Sequence, residues 1–170
     1  MASIGSVLGF KYKLLRVIGQ GGMGAVYQAE NVLTGRKVAV KTLHAPFAQQ
    51  TDAVERFWQE ARTASQIDHP NIVSVLDADI DSETDEPFIV QELLVGVNLR
   101  DYLDARADQR LPVSEAVLLL LPIIDALVAA HAAGVVHRDL KPANVFLTRG
   151  VAGEVVPKLI DFGVSKLMTA

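Results

Sequence analysis

The stretch His137-Arg138-Asp139-Leu140-Lys141-Pro142-Ala143-Asn144 decides the fold class of this chain, together with the Asp161-Phe162-Gly163 that follows it. The two segments supply carboxylates, an ammonium group and an amide, which can hold Mg²⁺ and a triphosphate and orient a hydroxyl for attack. The alternative is a polar loop and a turn that carry these residues by chance. Because both segments occur in this order, the joint pattern is specific and favours a nucleotide site.

A glycine-rich stretch at residues 19–26 predicts a second part of that site. Its sequence is Gly-Gln-Gly-Gly-Met-Gly-Ala-Val, and glycines let a backbone approach phosphate oxygens. A dinucleotide-binding turn shares the pattern, but there a helix opens at the third glycine. Residues 25–29 instead indicate a returning strand, which favours a phosphate-covering hairpin over a dinucleotide turn or a plain glycine-rich turn. The candidate phosphate-binding glycines are Gly19, Gly21, Gly22 and Gly24.

A lysine on the next strand and a glutamate on the next helix form a candidate ion pair. With the period of two of a strand, Ala39 and Lys41 share one face. The alternative for Lys41 is the usual one, a lysine that faces solvent. Glu60 lies on or beside the apolar stripe of a predicted helix at residues 53–67, where a carboxylate is costly unless paired. The sequence therefore predicts that Lys41 pairs with Glu60, and a solvated glutamate is the alternative.

Length and composition exclude several classes of protein. The chain has 170 residues, of which 50% are hydrophobic, and this suffices for one ordinary domain. The net charge of −4 and the scattered basic residues argue against nucleic acid as a partner. The absence of cysteine excludes disulfides and thiolate metal sites and fits a cytoplasmic location. Residues 1–5 lack the pattern of a signal peptide, and Ala2 excludes N-myristoylation.

One apolar segment, residues 116–136, is long enough to suggest a membrane span. It contains Pro122, Asp125 and His131, and Ser114 with Glu115 forms a good helix start. These residues favour a buried helix of a soluble domain over a membrane span.

The chain changes from β-rich to helical near residues 95–96, and a ligand is expected in a crevice at that junction. Alternating or apolar runs predict strands, and helical spacing predicts helices. Gly134 is expected to end the last helix as a C-cap. The predicted strands lie within residues 12–31, 37–42, 71–78, 88–93, 145–147 and 158–160, and the predicted helices at 53–67, 99–107 and 114–133.

In this order the motifs resemble those of protein kinases of the eukaryotic type, most of all the serine/threonine kinases of bacteria. His69-Pro70-Asn71-Ile72-Val73 and a strand with hinge at residues 88–94 add to the resemblance, which covers nearly the whole chain from Phe10 onward. Lys141, in the third position after Arg138, is the serine/threonine form of the loop rather than the tyrosine form.

The resemblance implies an α+β, bilobal, protein-kinase-like fold. A flexible N-terminus at residues 1–9 would precede a complete β-rich N-lobe at residues 10–95, with a five-stranded antiparallel sheet and one helix. Residues 96–170 would form a partial, mainly helical C-lobe. The family's domain continues into an activation segment and further helices, so the chain is expected to be truncated.

The resemblance also implies catalytic roles for the matching residues. Asp139 would orient the substrate hydroxyl and accept its proton, and Lys141 would steady the γ-phosphate of ATP. Lys41, held by Glu60, would contact the α- and β-phosphates. Arg138 would pair with a phosphorylated residue of the activation loop.

Further roles concern the metal ion and the nucleoside. Asn144 and Asp161 would hold Mg²⁺, with Mn²⁺ as an alternative ion. The position before the hinge, the family's gatekeeper, is Gln91, whose polar side chain would need a hydrogen-bond partner and would affect inhibitor fit. His137 and Phe162 would pack into the hydrophobic spine. The adenosine contacts implied are Val26 and Ala39 above the adenine, Phe146 below it, the backbone of Glu92 and Leu94 at its edge, and Asn98 at the ribose.

These expectations lead to one main hypothesis and two alternatives. The main hypothesis is an ATP-dependent enzyme that phosphorylates Ser or Thr in proteins. The alternatives are a nucleotide-binding fragment without transfer and an interaction fragment that docks on a partner chain, since truncation would expose the helix at residues 114–133, including 118–121. Ser165 and Thr169 are candidate phosphorylation sites or parts of a polar tail. The motifs do not identify the substrate, the regulatory signal or the oligomeric state.

Overall fold

The computed structural model describes residues 2–150 and 152–161 and divides into two compact units. The first unit comprises Met1–Ala61 and Ser74–Leu93, and the second comprises Arg62–Val73 and Leu94–Ala170. Phe162, Gly163, Ser165 and Thr169 lie outside the described residues.

A six-stranded antiparallel sheet forms the body of the first unit, in the order β1-β2-β3-β4-β6-β5. The sequence predicted five strands, and β1 is the additional one. It pairs with β2 through Val7 opposite Lys13, and two residues are too few to show an alternating pattern. The strands are β1 Val7–Leu8, β2 Tyr12–Gln20, β3 Gly24–Asn31, β4 Lys37–Leu43, β5 Val75–Ile80 and β6 Pro87–Glu92.

The residues before β2 pack on the sheet. The Ala2 N–H donates to the buried carboxylate of Glu86 at 2.9 Å, and the Gly9 N–H donates to buried Asp81 at 3.0 Å. Ala2 also packs against the core cluster of this side of the sheet. Residues 2–9, predicted as part of a flexible N-terminus, thus include a strand and two contacts to buried acids, because those acids need hydrogen-bond donors.

Two helices, α1 Ala45–Ala48 and α2 Thr51–Ser65, follow β4. The predicted apolar stripe of α2 is present: Phe57 and Ala61 are buried and pack with Leu43 of β4 and Ile89 of β6. Burying this stripe removes apolar area from water at about 25 cal/mol per Å². The packing fixes α2 beside the sheet face that carries Lys41, since Lys41 is paired with Ile89 in the β4–β6 register.

A three-stranded sheet, in the order β7-β8-β9, lies in the second unit. Its first strand was not predicted because it has three residues. Gly96 is needed there, since a Cβ at this position would lie 1.9 Å from the Leu147 carbonyl oxygen. The elements are β7 Gly96–Asn98, α3 Leu99–Asp104, α4 Val113–Ala132, a 3₁₀ helix Pro142–Asn144, β8 Val145–Arg149 and β9 Val155–Leu159.

The long helix α4 is buried along one face only. Leu119, Ile123 and Ala126 are buried, whereas Leu118 is 72% exposed and Leu121 58%. By length and apolar composition alone, α4 could cross a membrane, and it is the one such helix among residues 2–150 and 152–161. Its start differs slightly from the prediction, because the N-cap is Pro112 without a side-chain cap. Its end agrees: Gly134 has a φ of +75°.

The segment Arg62–Val73 belongs to the second unit, although the sequence placed it in the N-lobe of residues 10–95. Hydrogen bonds explain the difference. The Asn71 side chain donates to the Pro157 carbonyl at 2.7 Å, and the Val73 N–H donates to the Leu159 carbonyl at 2.9 Å. His69 Nε2 lies 3.2 Å from the Asp125 carboxylate of α4. The His69–Val73 motif therefore attaches this segment to β9 and α4.

Candidate functional site

The glycine-rich stretch is a hairpin between β2 and β3. Gln20 pairs with Ala25, and the Gly21 N–H donates to the Gly24 carbonyl at 2.9 Å. The chain thus returns as a strand, as predicted, and no helix opens at the third glycine. This geometry excludes the dinucleotide-binding turn, which requires that helix.

The glycines of this hairpin are required for different reasons. A Cβ on Gly24 would lie 2.0 Å from the Thr42 carbonyl oxygen of β4, whereas a Cβ on Gly22 would meet nothing within 4 Å. Gly24 is therefore needed for the sheet itself. Gly22 lies at the open tip, so packing within this unit does not require a glycine there.

Gly24→Ala is expected to lower the free energy of unfolding by about 1–3 kcal/mol, because the added methyl overlaps backbone that cannot move freely. Urea unfolding followed by circular dichroism measures the change. Gly22→Ala is the matched control, for which we expect a change within about 0.5 kcal/mol. Equal destabilisation by the two variants would contradict the assignment.

The predicted ion pair between Lys41 and Glu60 is present. Lys41 Nζ on β4 lies 2.6 Å from Glu60 Oε1 on α2, and the two side chains are 21% and 16% exposed. Partial burial strengthens this charge-assisted hydrogen bond relative to a surface pair. The pair holds the lysine ammonium at the sheet face that also carries Ala39.

Cross-strand pairs show which residues share that face. In the β3–β4 register Val26 lies opposite Lys41, and in the β4–β6 register Gln91 lies opposite Ala39. Directly opposed residues point to the same side of a sheet. Val26, Ala39, Lys41 and Gln91 therefore form one patch on this face of the sheet. Gln91 is partly buried in it.

The remaining predicted adenosine contacts occupy defined positions. Glu92 ends β6, where its N–H donates to the Ser74 carbonyl and its carboxylate accepts the Ser74 N–H. Leu94 opens the second segment of the second unit. Phe146 lies on β8, partly buried. Asn98 caps α3, since its side chain accepts the Asp101 N–H at 2.9 Å and donates to the Asp101 carboxylate at 2.8 Å. The predicted ribose contact thus already serves as a helix cap.

Three residues of the His137–Asn144 stretch converge. Asp139 Oδ2 accepts from Lys141 Nζ at 2.6 Å and from Asn144 Nδ2 at 3.1 Å. Asn144 Nδ2 also donates to the Asp139 carbonyl at 2.9 Å. The short 3₁₀ helix that follows Lys141 brings the buried Asn144 back to Asp139. The carboxylate is thereby oriented by two donors, and the Asn144 Oδ1 atom stays available as an oxygen ligand.

Two residues of the site have left-handed backbone. Arg138 has a φ of +60° and Asp161 a φ of +54°. The Asp139 N–H donates to the His137 carbonyl at 2.8 Å, which closes a tight turn around Arg138. This conformation is uncommon for a residue with a long side chain such as Arg, and it recurs at functional sites.

Buried His137 connects the loop to Asp161. Its Nε2 donates to the Ile160 carbonyl at 3.3 Å, and the Ile160 N–H donates to the Asn144 carbonyl at 3.0 Å. The residue before Asp161 is thus held on both sides by the loop. Burial lowers the pKa of His137 below the usual value, against the opposing effects of the Ile160 carbonyl and the carboxylates of Asp139 and Asp161.

The lowered pKa of His137 predicts a loss of stability in mild acid. Below pH about 6.5 the unfolded chain binds a proton at this histidine more readily than the folded chain does. Stability therefore rises with pH in that range and falls as pH decreases from about 6.5 toward the lowered value. Urea midpoints between pH 5 and 7 measure the slope. His137→Gln should reduce the slope, and the exposed-site control His131→Ala should retain it. An unchanged slope in His137→Gln would contradict the prediction.

The donor set fits a magnesium ion that also binds a nucleotide. Asp161 offers a carboxylate and Asn144 an amide oxygen, both hard oxygen ligands. Within residues 2–150 and 152–161, no group of three or more His, Cys, Asp or Glu side chains is arranged to hold a metal ion. Mg²⁺ in phosphate-transfer sites typically takes one or two carboxylates plus substrate phosphates, so this sparse set suits it and does not form a complete cage.

One contact near the hairpin was not predicted. His44, the residue after β4, has its Nε2 3.3 Å from the Gly21 carbonyl oxygen. No periodicity marks such a contact. The register of β3 and β4 would have indicated it, because Leu43 lies opposite Gly24 and the following residue, His44, therefore lies beside the hairpin.

Comparisons with known proteins agree on one family. The family model described as "Protein kinase domain" matches residues 12–170. The chain is 43% identical over 159 residues to the serine/threonine-protein kinase Pkn1 of Myxococcus xanthus, covering 94% of this chain and 22% of that protein. It is 38% identical over 167 residues to PrkC, a serine/threonine-protein kinase of Bacillus subtilis, covering 98% of this chain and 24% of that protein.

A solved structure is similar as well. The crystal structure of the PknI kinase domain of Mycobacterium tuberculosis superposes with a TM-score of 0.79 at 29% identity. The match covers 96% of this chain and 64% of that one. The chain therefore spans about a quarter or less of the curated relatives, and under two thirds of this solved domain.

Proposed function

Because the chain belongs to the protein kinase family and its relatives are bacterial serine/threonine kinases, we propose that it binds Mg-ATP and transfers the γ-phosphate to Ser or Thr hydroxyls of proteins. The observation that carries the proposal is the Asp139 carboxylate, oriented by hydrogen bonds from Lys141 and Asn144. A carboxylate held in this way can orient a hydroxyl and accept its proton.

The proposed phosphate contacts use positive charge and backbone amides. Lys41 contacts the α- and β-phosphates while Glu60 keeps its ammonium in place, and the N–H groups of the glycine hairpin cover the phosphates. Lys141 moves from Asp139 to the γ-phosphate when the substrate binds. The positive charge then lies where negative charge develops on the transferring group.

The proposed nucleoside contacts are apolar above and below the ring. Val26 and Ala39 cover one face of the adenine and Phe146 covers the other. The Glu92 N–H already donates to the Ser74 carbonyl. The Glu92 carbonyl therefore makes the proposed contact to the adenine edge, and the backbone of Leu94 makes the second contact. The Asn98 side chain already makes the cap hydrogen bonds of α3. Its proposed contact to a ribose hydroxyl is therefore made in addition to those bonds.

The chemical step is a displacement at phosphorus. The Asp139 carboxylate accepts the proton of the Ser or Thr hydroxyl, the new oxygen–phosphorus bond forms, and the bond to the ADP oxygen breaks. Asn144 and Asp161 hold the metal ion. When bound, that ion neutralises charge on the phosphate oxygens, with Mg²⁺ as the proposed ion and Mn²⁺ as an alternative.

A second candidate function is nucleotide binding without transfer, or a role as an interaction fragment. Its support is the exposed apolar face of α4, where Leu118 is 72% and Leu121 58% exposed. The proposed partners are ATP, a protein with an accessible Ser or Thr, and a protein surface that covers the exposed face of α4. The proposed location is the cytoplasm, where ATP is available.

A thermal shift experiment tests the nucleotide site. At a Mg-ATP concentration of about 100 times Kd, binding adds about 2.7 kcal/mol of stability. For a chain of this size that corresponds to a rise in melting temperature of about 5–10 °C. ATP with EDTA, and Mg²⁺ alone, are the controls. No rise with Mg-ATP would contradict both candidate functions that involve a nucleotide.

A further inference from the structure

The tip of the glycine hairpin is held by the residue that follows β4. The His44 backbone N–H donates to the Met23 carbonyl at 2.8 Å, and its ring Nε2 lies 3.3 Å from the Gly21 carbonyl oxygen. A carbonyl only accepts, so Nε2 is the donor in this bond. Both contacts lie within the first unit. The ring therefore reaches past the start of β3 to the tip of the hairpin between β2 and β3.

Hydrogen bonds, rather than packing, determine the conformation of this tip. Gly21, Gly22 and Met23 are exposed, and a Cβ on Gly22 would meet nothing within 4 Å. Side-chain packing therefore does not restrict the direction of the peptide groups here. The Gly21 N–H bond to Gly24 closes the base of the tip, and the His44 ring fixes the next carbonyl.

Fixing that carbonyl also fixes an amide. The peptide unit between Gly21 and Gly22 is planar and trans, so its C=O and N–H bonds point in opposite directions. When the Gly21 oxygen is directed at the His44 ring, the Gly22 N–H is directed away from it. A single hydrogen bond from His44 thus sets the direction of one donor in the hairpin.

We propose that His44 is a positioning residue for the phosphates of the nucleotide, acting through the Gly22 N–H. This inference rests on the proposed function, in which the hairpin amides bind phosphate. An amide whose direction is fixed before binding costs less entropy to order on the phosphates than one that rotates freely. His44 need not touch the nucleotide, since its effect passes through the Gly21–Gly22 peptide.

The experiment compares two ligands and three variants of the chain. Mg-ATP and adenosine are titrated by calorimetry or competitive displacement. His44→Ala should weaken Mg-ATP about three- to tenfold, the range that one hydrogen bond supports, and leave adenosine unchanged because it has no phosphates. His44→Gln, which retains a side-chain N–H donor, should recover affinity to within about twofold. His131→Ala, at an exposed histidine of α4, is the control and should bind both ligands as the parent chain does.

An independent readout does not require nucleotide. The Gly22 amide order parameter from NMR relaxation should fall in His44→Ala and recover in His44→Gln, since the ring bond restricts that peptide. The melting temperature without nucleotide should stay that of the parent, because the bond is on the surface.

The outcomes separate the two proposals. If the parent chain binds Mg-ATP and His44→Ala binds it equally well, the positioning role is wrong and the nucleotide site stands. Equal weakening of Mg-ATP and adenosine would also overturn it, because a general structural defect affects both ligands. If the parent chain fails to bind Mg-ATP, the proposed function fails, and the positioning role fails with it.

Discussion

Lys41→Met is expected to abolish the rise in melting temperature of about 5–10 °C that Mg-ATP gives to the parent chain. The substitution removes the ammonium proposed to contact the α- and β-phosphates and keeps a similar length of apolar side chain. Thermal unfolding with and without Mg-ATP measures the effect. The Lys41–Glu60 distance of 2.6 Å shows that the ammonium is already held in place before binding. The methionine side chain carries no charge that could replace it.

The control for this variant lies on the same strand. Lys37 of β4 is paired with Glu30 on the surface, and Lys37→Met should retain the full shift. Because Lys41→Met removes a partner of the partly buried Glu60, the double variant Lys41→Met/Glu60→Gln is a second test that avoids this uncompensated charge. A full Mg-ATP shift in the double variant would show that Lys41 does not bind the nucleotide.

Asp139→Asn should reduce phosphate transfer about 10²- to 10⁴-fold, the usual contribution of a general base. The asparagine oxygen can still accept from Lys141, so the loop geometry is retained while the ability to take a proton is lost. Incorporation of labelled phosphate into a generic protein substrate measures the rate. The Mg-ATP shift should persist in this variant, which separates chemistry from binding.

Asp104→Asn, an exposed carboxylate at the end of α3, is the matched control and should transfer phosphate as the parent chain does. Transfer that survives in Asp139→Asn would show that a contaminating kinase or another residue carries the reaction. If the parent chain binds Mg-ATP and shows no transfer, the second candidate function, binding without transfer, replaces the first.

Long, regular patterns made most of the fold predictable. The hairpin of β2 and β3, the strand that carries Lys41 and the stripe of α2 each follow a period set by backbone geometry. The same periods predicted the Lys41–Glu60 pair, because a carboxylate beside an apolar stripe needs a cation nearby. The hydrogen bonds from Lys141 and Asn144 to Asp139 were not predicted, since the resemblance assigned Lys141 to the γ-phosphate and Asn144 to the metal ion.

Features that depend on single backbone contacts were not predictable. The strands β1 and β7 are too short for a pattern and exist because neighbouring strands supply their hydrogen bonds. Residues 62–73 belong to the second unit because Asn71 and Val73 form hydrogen bonds to β9. The cap role of Asn98 was likewise hidden, since the family resemblance assigned that residue to a ligand.

The attachment of Ile160 has a consequence for how this site can vary during evolution. Its backbone makes both hydrogen bonds: the carbonyl accepts from His137 and the N–H donates to Asn144. Neither hydrogen bond depends on which side chain occupies residue 160. Many substitutions there should be selectively neutral, whereas proline is excluded because it lacks the N–H. Sequence drift beside Asp161, the proposed metal ligand, can thus proceed while both hydrogen bonds are kept.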